Sequence, residues 1–447
     1  MRVEIGTIRG PSSIRIGFTD QRLTAHGGMA VWSHFLHKCQ FRKILGERLP
    51  HRPTSPNAYA PTDTALGFLG GILSGADKLS RVAWLASDPA VAEVLGIESI
   101  PSQSTLSRFF GAFNQRTATE LGRLHAWAAG RLPSLKAGYT LDMDSWALLH
   151  EDGHQEGVKV GYTSIGTKPC QRPLVAALAE AQLVVGYWLR PGNTSCVNGA
   201  VEFLRQTLDG LPKHIAVGLV RADSGFSHGS VLAELEGRGM SYVMASRLTQ
   251  PLQSVCRHDD SAWEDTEMDG IQVQELEGQE VGRRTIVLRK RIARRPQGGG
   301  KMLLDVPGYR FQALVTNLPR HVSALGVWRR YNGRADIENR IKELGEQYGV
   351  KRLTCSGFWA TEALHHLAIT AYNLCVLLGR RLGQREHIQL QTMRWRLFTR
   401  AAVWSRARGK PTLRLAVRGE EQRSWWWEIL GKITGLPNCH AVGSLAA

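Results

Sequence analysis

The sequence predicts an α/β protein: a mixed β-sheet core with a β-rich insertion, flanked by a helical N-terminal domain and a helical C-terminal region. Three observations support this fold class. Helical patterns fill the first 134 residues, strands and helices then follow in the order βββαβαβ as far as residue 246, and helical periodicity returns near Val322. Three leading strands followed by alternating helix and strand are typical of an RNase H-like core.

Residues 1–134 are predicted to form a helical DNA-binding domain. Gly96 suits a left-handed helix cap and Ser102 suits the N-cap of the next helix, a pattern typical of a helix-turn-helix. Ser104 and Arg108 on the second helix offer a hydroxyl and a guanidinium to DNA. An ordinary helical hairpin is the alternative. The predicted helices are Met29 to Cys39, Thr62 to Leu73, Leu79 to Ser87, Pro89 to Leu95 and Ser102 to Gly111.

Residues 135–246 are predicted to form the first part of the RNase H-like core. The apolar residues alternate with polar ones in several short runs, and apolar positions between those runs repeat with helical spacing. The predicted strands are Gly138 to Asp144, Val158 to Ser164, Leu183 to Leu189, Ile215 to Arg221 and Tyr242 to Ser246, and the predicted helices are Val197 to Leu208 and Ser230 to Glu236.

The rest of the chain is predicted to interrupt and then complete the core. Residues 247–319 contain short alternating segments and polar turns, which indicate β hairpins. Residues 320–382 are expected to complete the core with helices, the last of them an apolar run from Ala363 to Leu378. That run is shorter than the roughly 20 residues that span a bilayer, so we expect it to be buried. Residues 383–447 form a basic C-terminal region.

The charge balance points to a polyanionic partner. The chain of 447 residues carries 56 Lys and Arg against 39 Asp and Glu, a net charge of +17, with the apolar content of a folded protein. Residues 135–245 are nearly neutral, whereas residues 321–447 are strongly basic. This distribution suits an enzyme that holds nucleic-acid phosphates at its periphery. Charge that serves only solubility is an equally good explanation.

The cysteines and the N-terminal segment predict a cytoplasmic protein. Seven cysteines are scattered without a Cys-x-x-Cys pair, which favours free thiols in a reducing compartment. The first residues contain no continuous apolar stretch of the kind that a signal peptide needs. We therefore expect neither export nor a membrane partner.

Three acidic positions lie where the predicted sheet could bring them together. Asp142 and Asp144 alternate with apolar residues on the first strand, so both carboxylates face one side of the sheet and either could serve. Asp223 follows an apolar strand at its carboxyl end, where open α/β sheets expose functional groups. Glu338 lies on the charged helix after the insertion and would complete the cluster if that helix packs beside the first strand.

Such a cluster predicts metal-dependent phosphodiester chemistry. Converging carboxylates raise one another's pKa unless cations neutralise them, and their hard oxygen atoms favour Mg²⁺, with Mn²⁺ also suitable. Two such ions about 3.5–4 Å apart can promote in-line attack on a phosphodiester. The competing explanation is that each acid is an ordinary strand-end or surface group.

The helix that carries Glu338 also has residues suited to phosphate. Tyr331, Arg334, Glu338 and Lys342 are spaced i, i+3, i+7 and i+11, which places them along one helical face. Arg334 can fork onto a phosphate, Lys342 can act as a point charge and the Tyr331 hydroxyl can donate a hydrogen bond. A solvated surface helix would show the same pattern.

At these positions the sequence resembles the DDE transposases of bacterial insertion sequences, in particular the group with a β-strand insertion before the catalytic Glu. The resemblance covers residues from about 110 to 380. Its most specific segments are LDMDS (141–145), RADSGF (221–226) and YNGRADIENRIKE (331–343). The last segment is similar to the Tyr-x2-Arg-x3-Glu-x6-Lys signature of the group. Gly345 occupies the final Lys position, and Lys342, one turn earlier, is the candidate replacement.

The resemblance implies roles for the acids and a reaction. Asp144 would be the first acid, since a small hydroxyl residue follows it, with Asp142 as the alternative, and Asp223 and Glu338 would be the second and third. The reaction would be cut-and-paste movement: cleavage at the element's ends through DNA hairpins, then strand transfer into target DNA. A homodimer would act on paired ends in the bacterial nucleoid, with the N-terminal region recognising the terminal inverted repeats.

Two further groups are candidate DNA contacts. Hairpin-forming relatives stack a flipped base on an aromatic residue, for which Trp263 and Trp328 are candidates, although each is more readily explained as a packing residue. Arg289, Lys290 and Arg291 form a basic run in the insertion that could contact the DNA backbone or could simply be the solvated edge of a hairpin.

Two other functions compete with transposition. A transposase-derived DNA-binding protein would keep the helix-turn-helix and the basic tail but would need no acid triad. An RNase H-like DNA nuclease would cut without strand transfer and would have no use for Tyr331 and Arg334.

Overall fold

The computed structural model describes residues 3–5, 14–53, 55, 58–150, 154–163, 165–258, 263–277, 282–293, 306, 308–407 and 409–435. The N-terminal elements are β1 (Val3–Ile5), β2 (Ile14–Ile16), β3 (Leu23–Thr24), α1 (Met29–Lys38), α2 (Phe41–Arg48), α3 (Pro61–Ser74), α4 (Leu79–Trp84), α5 (Val91–Leu95), α6 (Gln103–Gly111) and α7 (Gln115–Ala129).

The core elements follow as β4 (Tyr139–Ser145), β5 (Leu148–Leu149), β6 (Lys159–Thr163), β7 (Gly166–Gln171), β8 (Leu174–Leu178), β9 (Leu183–Trp188), α8 (Ala200–Gly210), β10 (Val217–Ala222), α9 (Gly229–Gly237) and β11 (Ser241–Ser246). The remaining elements are α10 (Gln250–His258), β12 (Glu264–Asp265), β13 (Ile271–Glu277), β14 (Arg284–Arg291), β15 (Tyr309–Thr316), α11 (Ala324–Asn332), α12 (Ala335–Glu346), α13 (Phe358–Arg381), α14 (Leu390–Met393), β16 (Ala402–Ala407), β17 (Lys410–Leu415) and α15 (Gly419–Thr434).

A nine-stranded sheet, in the order β12-β13-β14-β15-β11-β10-β4-β8-β9, organises the chain. Strands β4, β8 and β9 form an antiparallel meander, and β10 and β11 run parallel to β4 on its other side. The parallel strands are joined through helices, as such connections require. This is the topology of an RNase H-like core, so the predicted fold class is confirmed.

The second strand of the core differs from the prediction. The segment predicted at 158–164 forms β6, which lies with β5 and β7 in a separate three-stranded sheet. The core position belongs to β8, whose five residues are all buried. A short run that is buried on both faces lacks the alternation by which half-buried strands are recognised, so the sequence pattern favoured the wrong segment.

The insertion is β-rich and continues the core sheet. Strand β15 pairs with β11, and β14 and β13 follow in antiparallel order. Helix α10, which the sequence did not indicate, precedes these strands. The insertion therefore extends the sheet on the side away from β9.

The N-terminal segment contains the predicted helices together with α2 and α7. Gly96 has a φ of 68° and ends α5, and the Ser102 hydroxyl accepts a hydrogen bond of 3.1 Å from the Thr105 amide at the start of α6. Both are the cap geometries that the sequence predicts.

The prediction of a helical C-terminal region is only partly correct, because this region also contains strands. Strands β16 and β17 form a hairpin, and β16 also pairs with β3 near the N-terminus. The alternating pattern of these strands is short and interrupted by basic residues, which concealed it. The hairpin therefore joins the C-terminal region to residues 23 and 24.

Helix α13 is buried along most of its length and covers the outer edge of β9. The Asn373 amide donates to the Val184 carbonyl at 2.8 Å and accepts from the Val184 N–H at 3.0 Å, and the Glu362 carboxylate accepts from the Leu189 N–H at 3.0 Å. Side chains of the helix thus satisfy backbone groups near both ends of this edge strand. Among the helices that the structure describes, none has the length and apolar composition needed to span a membrane.

Candidate active site

Asp142 forms a buried ion pair with Arg221 on the neighbouring strand. The two residues are partners in the parallel pairing of β4 and β10, and the guanidinium donates to the two carboxylate oxygens at 2.6 and 2.8 Å. Arg221 also donates to the carbonyl of Arg330 at the end of α11, at 2.6 Å. Arg221 therefore connects β4 and β10 to the end of α11.

Asp144 is buried beside Arg334. Its Oδ2 lies 2.7 Å from Arg334 Nη2, and its Oδ1 accepts from the Ser145 amide at 2.7 Å. Burial raises the pKa of Asp144 from its ordinary 3.8 to about 6; the charge of Arg334 opposes this shift, and the charges of Asp223 and Glu338 add to it. Asp144 is therefore within electrostatic reach of the other two predicted acids.

Asp223 follows β10 in a tight turn. Its Oδ1 accepts from the Gly225 amide at 2.9 Å, and a Cβ on Gly225 would lie 2.9 Å from the Cys196 sulfur and 3.0 Å from that carboxylate oxygen. Only glycine fits such a close approach. The carboxylate of Asp223 is therefore held at the carboxyl end of the strand, next to Asp144.

Glu338 lies in the first turn of α12 with its side chain 71% exposed. Its Oε1 is 3.9 Å from Arg334 Nη1, so Arg334 stands between Glu338 and Asp144. The three carboxylates are the hard oxygen donors that Mg²⁺ and Mn²⁺ prefer. Their arrangement in this conformation does not yet fit an ion: within the described ranges, no three His, Cys, Asp or Glu side chains are placed to hold a metal.

The predicted face from Tyr331 to Lys342 is not continuous. Helix α11 ends at Asn332 and α12 begins at Ala335. A Cβ on Gly333 would lie 2.4 Å from Arg221 Nη1, so the guanidinium of Arg221 occupies the space at this break. The four residues therefore belong to two helices and do not lie along one helical face, which the sequence pattern missed because periodicity does not register a two-residue interruption.

Tyr331 and Arg334 are buried, with 9% and 7% of their surfaces exposed, and do not form an open stripe. Burial raises the pKa of the Tyr331 phenol, so its hydroxyl keeps its proton as a hydrogen-bond donor. Lys342 is exposed on α12. Of the predicted phosphate contacts, only Lys342 is fully accessible.

Gly345 is covered by another lysine. A Cβ at this position would lie 2.8–2.9 Å from three methylene carbons of Lys351. The Lys351 side chain is 44% exposed, and its Nζ is 3.4 Å from a Glu346 carboxylate oxygen. The cation next to this position therefore comes from residue 351, which the sequence pattern did not reveal.

The structure places three of the candidate DNA contacts, two in the insertion and one on α11, in packing contacts. Arg289 is buried, donates to the Gln272 side chain at 2.6 Å and lies 4.5 Å from the ring centre of Trp263. Trp263 is 8% exposed and packs beneath it. Trp328 is half-buried against the apolar cluster that includes Leu288 and Val327, and it donates to the Gln312 side chain at 3.1 Å. These three side chains are used in packing, which removes them from a DNA surface.

The other candidates lie on the surface. Lys290 and Arg291 are exposed at the end of β14, and Ser104 and Arg108 are exposed on α6. The most exposed large aromatic near the core is Tyr162 on β6, at 74%. Sequence reasoning missed Tyr162 because its hairpin was assigned to the core sheet.

Sequence reasoning also missed Arg221 and Cys196. Arg221 precedes the second acid in RADSGF, and only the strand register identifies its partner. The Cys196 sulfur lies 3.1 Å from the Ser145 hydroxyl, in a loop far from the motifs along the chain. No local sequence signal indicates that contact.

Comparisons with known proteins match the chain to one family. The model of the family described as transposase DDE domain group 1 matches residues 7–437. A comparison with curated proteins finds no match. Among solved structures, the cryo-EM structure of the piggyBac transposase synaptic complex with hairpin DNA aligns with a TM-score of 0.43 and 10% identity, covering 84% of this chain and 81% of that one.

Proposed function

Because this chain belongs to group 1 of the DDE-domain transposases, we propose that it cleaves DNA at the ends of a bacterial insertion sequence and joins the freed ends to target DNA. The observation that carries the proposal is that Arg334 lies 2.7 Å from Asp144 and 3.9 Å from Glu338, with Asp223 at the end of the strand beside β4. The three acids come from two strand ends and a helix that are distant along the chain. Bringing carboxylates together costs free energy unless positive charge, from Arg334 or from a bound metal ion, balances them.

We propose that Asp144, Asp223 and Glu338 hold two Mg²⁺ ions, or Mn²⁺ in their place. Such ions, when bound, activate the attacking oxygen and stabilise the departing one. The chain's own groups position the DNA: Arg334 offers a guanidinium fork and Tyr331 a protonated hydroxyl beside the acids, and Lys342 offers a cation on the exposed side of α12.

The proposed partner is double-stranded DNA, both the terminal inverted repeats and the target. Ser104 and Arg108 on α6 would contact the repeats, and Lys290 and Arg291 the backbone further along. A homodimer would act on paired ends. This proposal takes Asp144 and not Asp142 as the first acid, because Asp142 is fully buried against Arg221 whereas Arg334 contacts both Asp144 and Glu338.

The test uses the DNA that borders the gene, because those flanks would contain the ends. End-labelled flank fragments are incubated with purified protein and Mg²⁺, and nicks, hairpins and joined products are resolved on a denaturing gel. The proposal expects all three with the wild-type protein and none with Glu338→Gln. Asp336→Asn, which removes an exposed carboxylate from the same turn of α12, is the matched control and should retain activity.

The same gel separates the competing functions. Cleavage without joined products would indicate a nuclease, and specific binding without any cleavage would indicate a DNA-binding protein. Undiminished cutting by Glu338→Gln would overturn the assignment of the acids.

A further inference from the structure

We propose that Arg334 is a latch that keeps the divalent metal site closed until DNA arrives. In the closed state its guanidinium is bound to Asp144; a DNA phosphate then draws it away and frees that carboxylate for metal. The inference rests on the proposed function and concerns the regulation of the same site.

The first support is that both oxygens of Asp144 are engaged. Arg334 Nη2 contacts Oδ2 and the Ser145 amide contacts Oδ1, each at 2.7 Å. The side chains of Arg334 and Asp144 are only 8% and 10% exposed, so water screens this pair weakly. A divalent cation on the same oxygen would stand next to the guanidinium and be repelled by it. Arg334 and a metal ion therefore compete for Asp144 Oδ2.

The second support is that the metal ligands are not assembled while Arg334 is in place. Within the described part of the chain no three acidic, His or Cys side chains form a metal-holding group. Arg334 lies between the predicted ligands, 2.7 Å from Asp144 and 3.9 Å from Glu338. It supplies the positive charge that an ion would otherwise supply.

The third support is that Arg334 has unused capacity for a new partner. Its Nε is buried without a hydrogen-bond partner among the residues that the structure describes. It sits at the N-cap of the twelve-residue helix α12, directly after Gly333. A phosphate there can accept two parallel bonds from a guanidinium, more than Asp144 Oδ2 alone accepts.

The consequence is that metal and DNA bind cooperatively. DNA that removes Arg334 from Asp144 raises the affinity for metal, and metal must raise the affinity for DNA by the same factor. Couplings of this kind are typically between about 5-fold and 150-fold. The latch would keep the protein from holding reactive ions when no substrate is bound.

The experiment is a Mn²⁺ titration followed by the electron paramagnetic resonance signal of free Mn²⁺, with and without a duplex from the gene's flanks. We expect the duplex to tighten Mn²⁺ binding to the wild-type protein by about tenfold or more. Arg334→Gln should bind Mn²⁺ about tenfold tighter than wild type without DNA and should show little further response to the duplex. Arg330→Gln removes an equal, exposed charge from α11 and should behave as wild type.

Equal Mn²⁺ affinity of wild type and Arg334→Gln without DNA overturns the latch, as does a wild-type affinity that the duplex leaves unchanged. The wild-type comparison needs no variant, so it decides the question even if Arg334→Gln does not fold. Adding Asp223→Asn separates the two hypotheses. If wild type binds Mn²⁺ through Asp223 equally well with and without DNA, the latch alone fails; if Asp223→Asn changes nothing, the proposed metal site fails as well.

Discussion

Replacing Arg221 by Met is expected to lower the free energy of unfolding by about 3–5 kcal/mol. Met keeps much of the side-chain volume but leaves the Asp142 carboxylate, which is 0% exposed, without a counter-ion. Both of its oxygens accept hydrogen bonds from the Arg221 guanidinium. Removing one partner of a buried ion pair costs this much because the other charge stays desolvated.

Urea unfolding at pH 7, followed by circular dichroism and tryptophan fluorescence, measures the loss. The double variant Asp142→Leu with Arg221→Met removes both charges and should cost less than the sum of the two single changes by about 2 kcal/mol or more. Arg205→Met is the matched control: its salt bridge to Glu234 is half-exposed, so its removal should cost less than about 1 kcal/mol. A loss below 1 kcal/mol for Arg221→Met, or additivity in the double variant, would refute the structural role of the pair.

Three more predictions follow from other contacts. Burial raises the pKa of Glu362 from 4.5 to about 7, so the folded state holds this proton more tightly than the unfolded state. Its ionisation therefore lowers the free energy of unfolding as pH rises from about 4.5 to 7. In urea unfolding, the free energy of unfolding of Glu362→Gln should exceed that of wild type by up to about 3 kcal/mol at pH 8 and equal it at pH 4. The same difference at both pH values would contradict this. Asn373→Leu leaves the N–H and carbonyl of Val184 unpaired and should cost about 2–5 kcal/mol, measured by the same unfolding, with a loss under 1 kcal/mol as the contrary result. Lys351→Ala and Lys342→Ala should each weaken binding of flank DNA and reduce the slope of log K against log salt concentration by about one. A variant whose slope equals that of wild type would show that its lysine does not contact a phosphate.

The sequence predicted the order of strands and helices in the core, apart from β8, because apolar runs of helical or strand spacing are local patterns. It could not separate Asp142 from Asp144, since both face the same side of one strand. The choice depends on register: Arg221 lies beside Asp142 only because β4 and β10 pair as they do. Register is a relation between segments far apart along the chain, which no local pattern contains.

The misjudged residues have a similar physical cause. The helical pattern between Tyr331 and Lys342 did not show that the Arg221 guanidinium would lie against Gly333 at the break between α11 and α12. Arg289 belonged to an exposed-looking basic run, yet it is sandwiched between the rings of Trp263 and Tyr309. A long cationic side chain is buried or exposed according to its neighbours in space, and composition alone does not supply them.

The cover that α13 places over β9 has a consequence for how copies of this protein associate. Unpaired edge strands are sites of sheet-to-sheet aggregation, and here one edge is blocked by a buried helix. At the opposite edge of the described sheet, β12 is two residues long and both of its side chains are exposed carboxylates. The helix contacts at β9 and the charged side chains of β12 therefore disfavour sheet-to-sheet association at these two places.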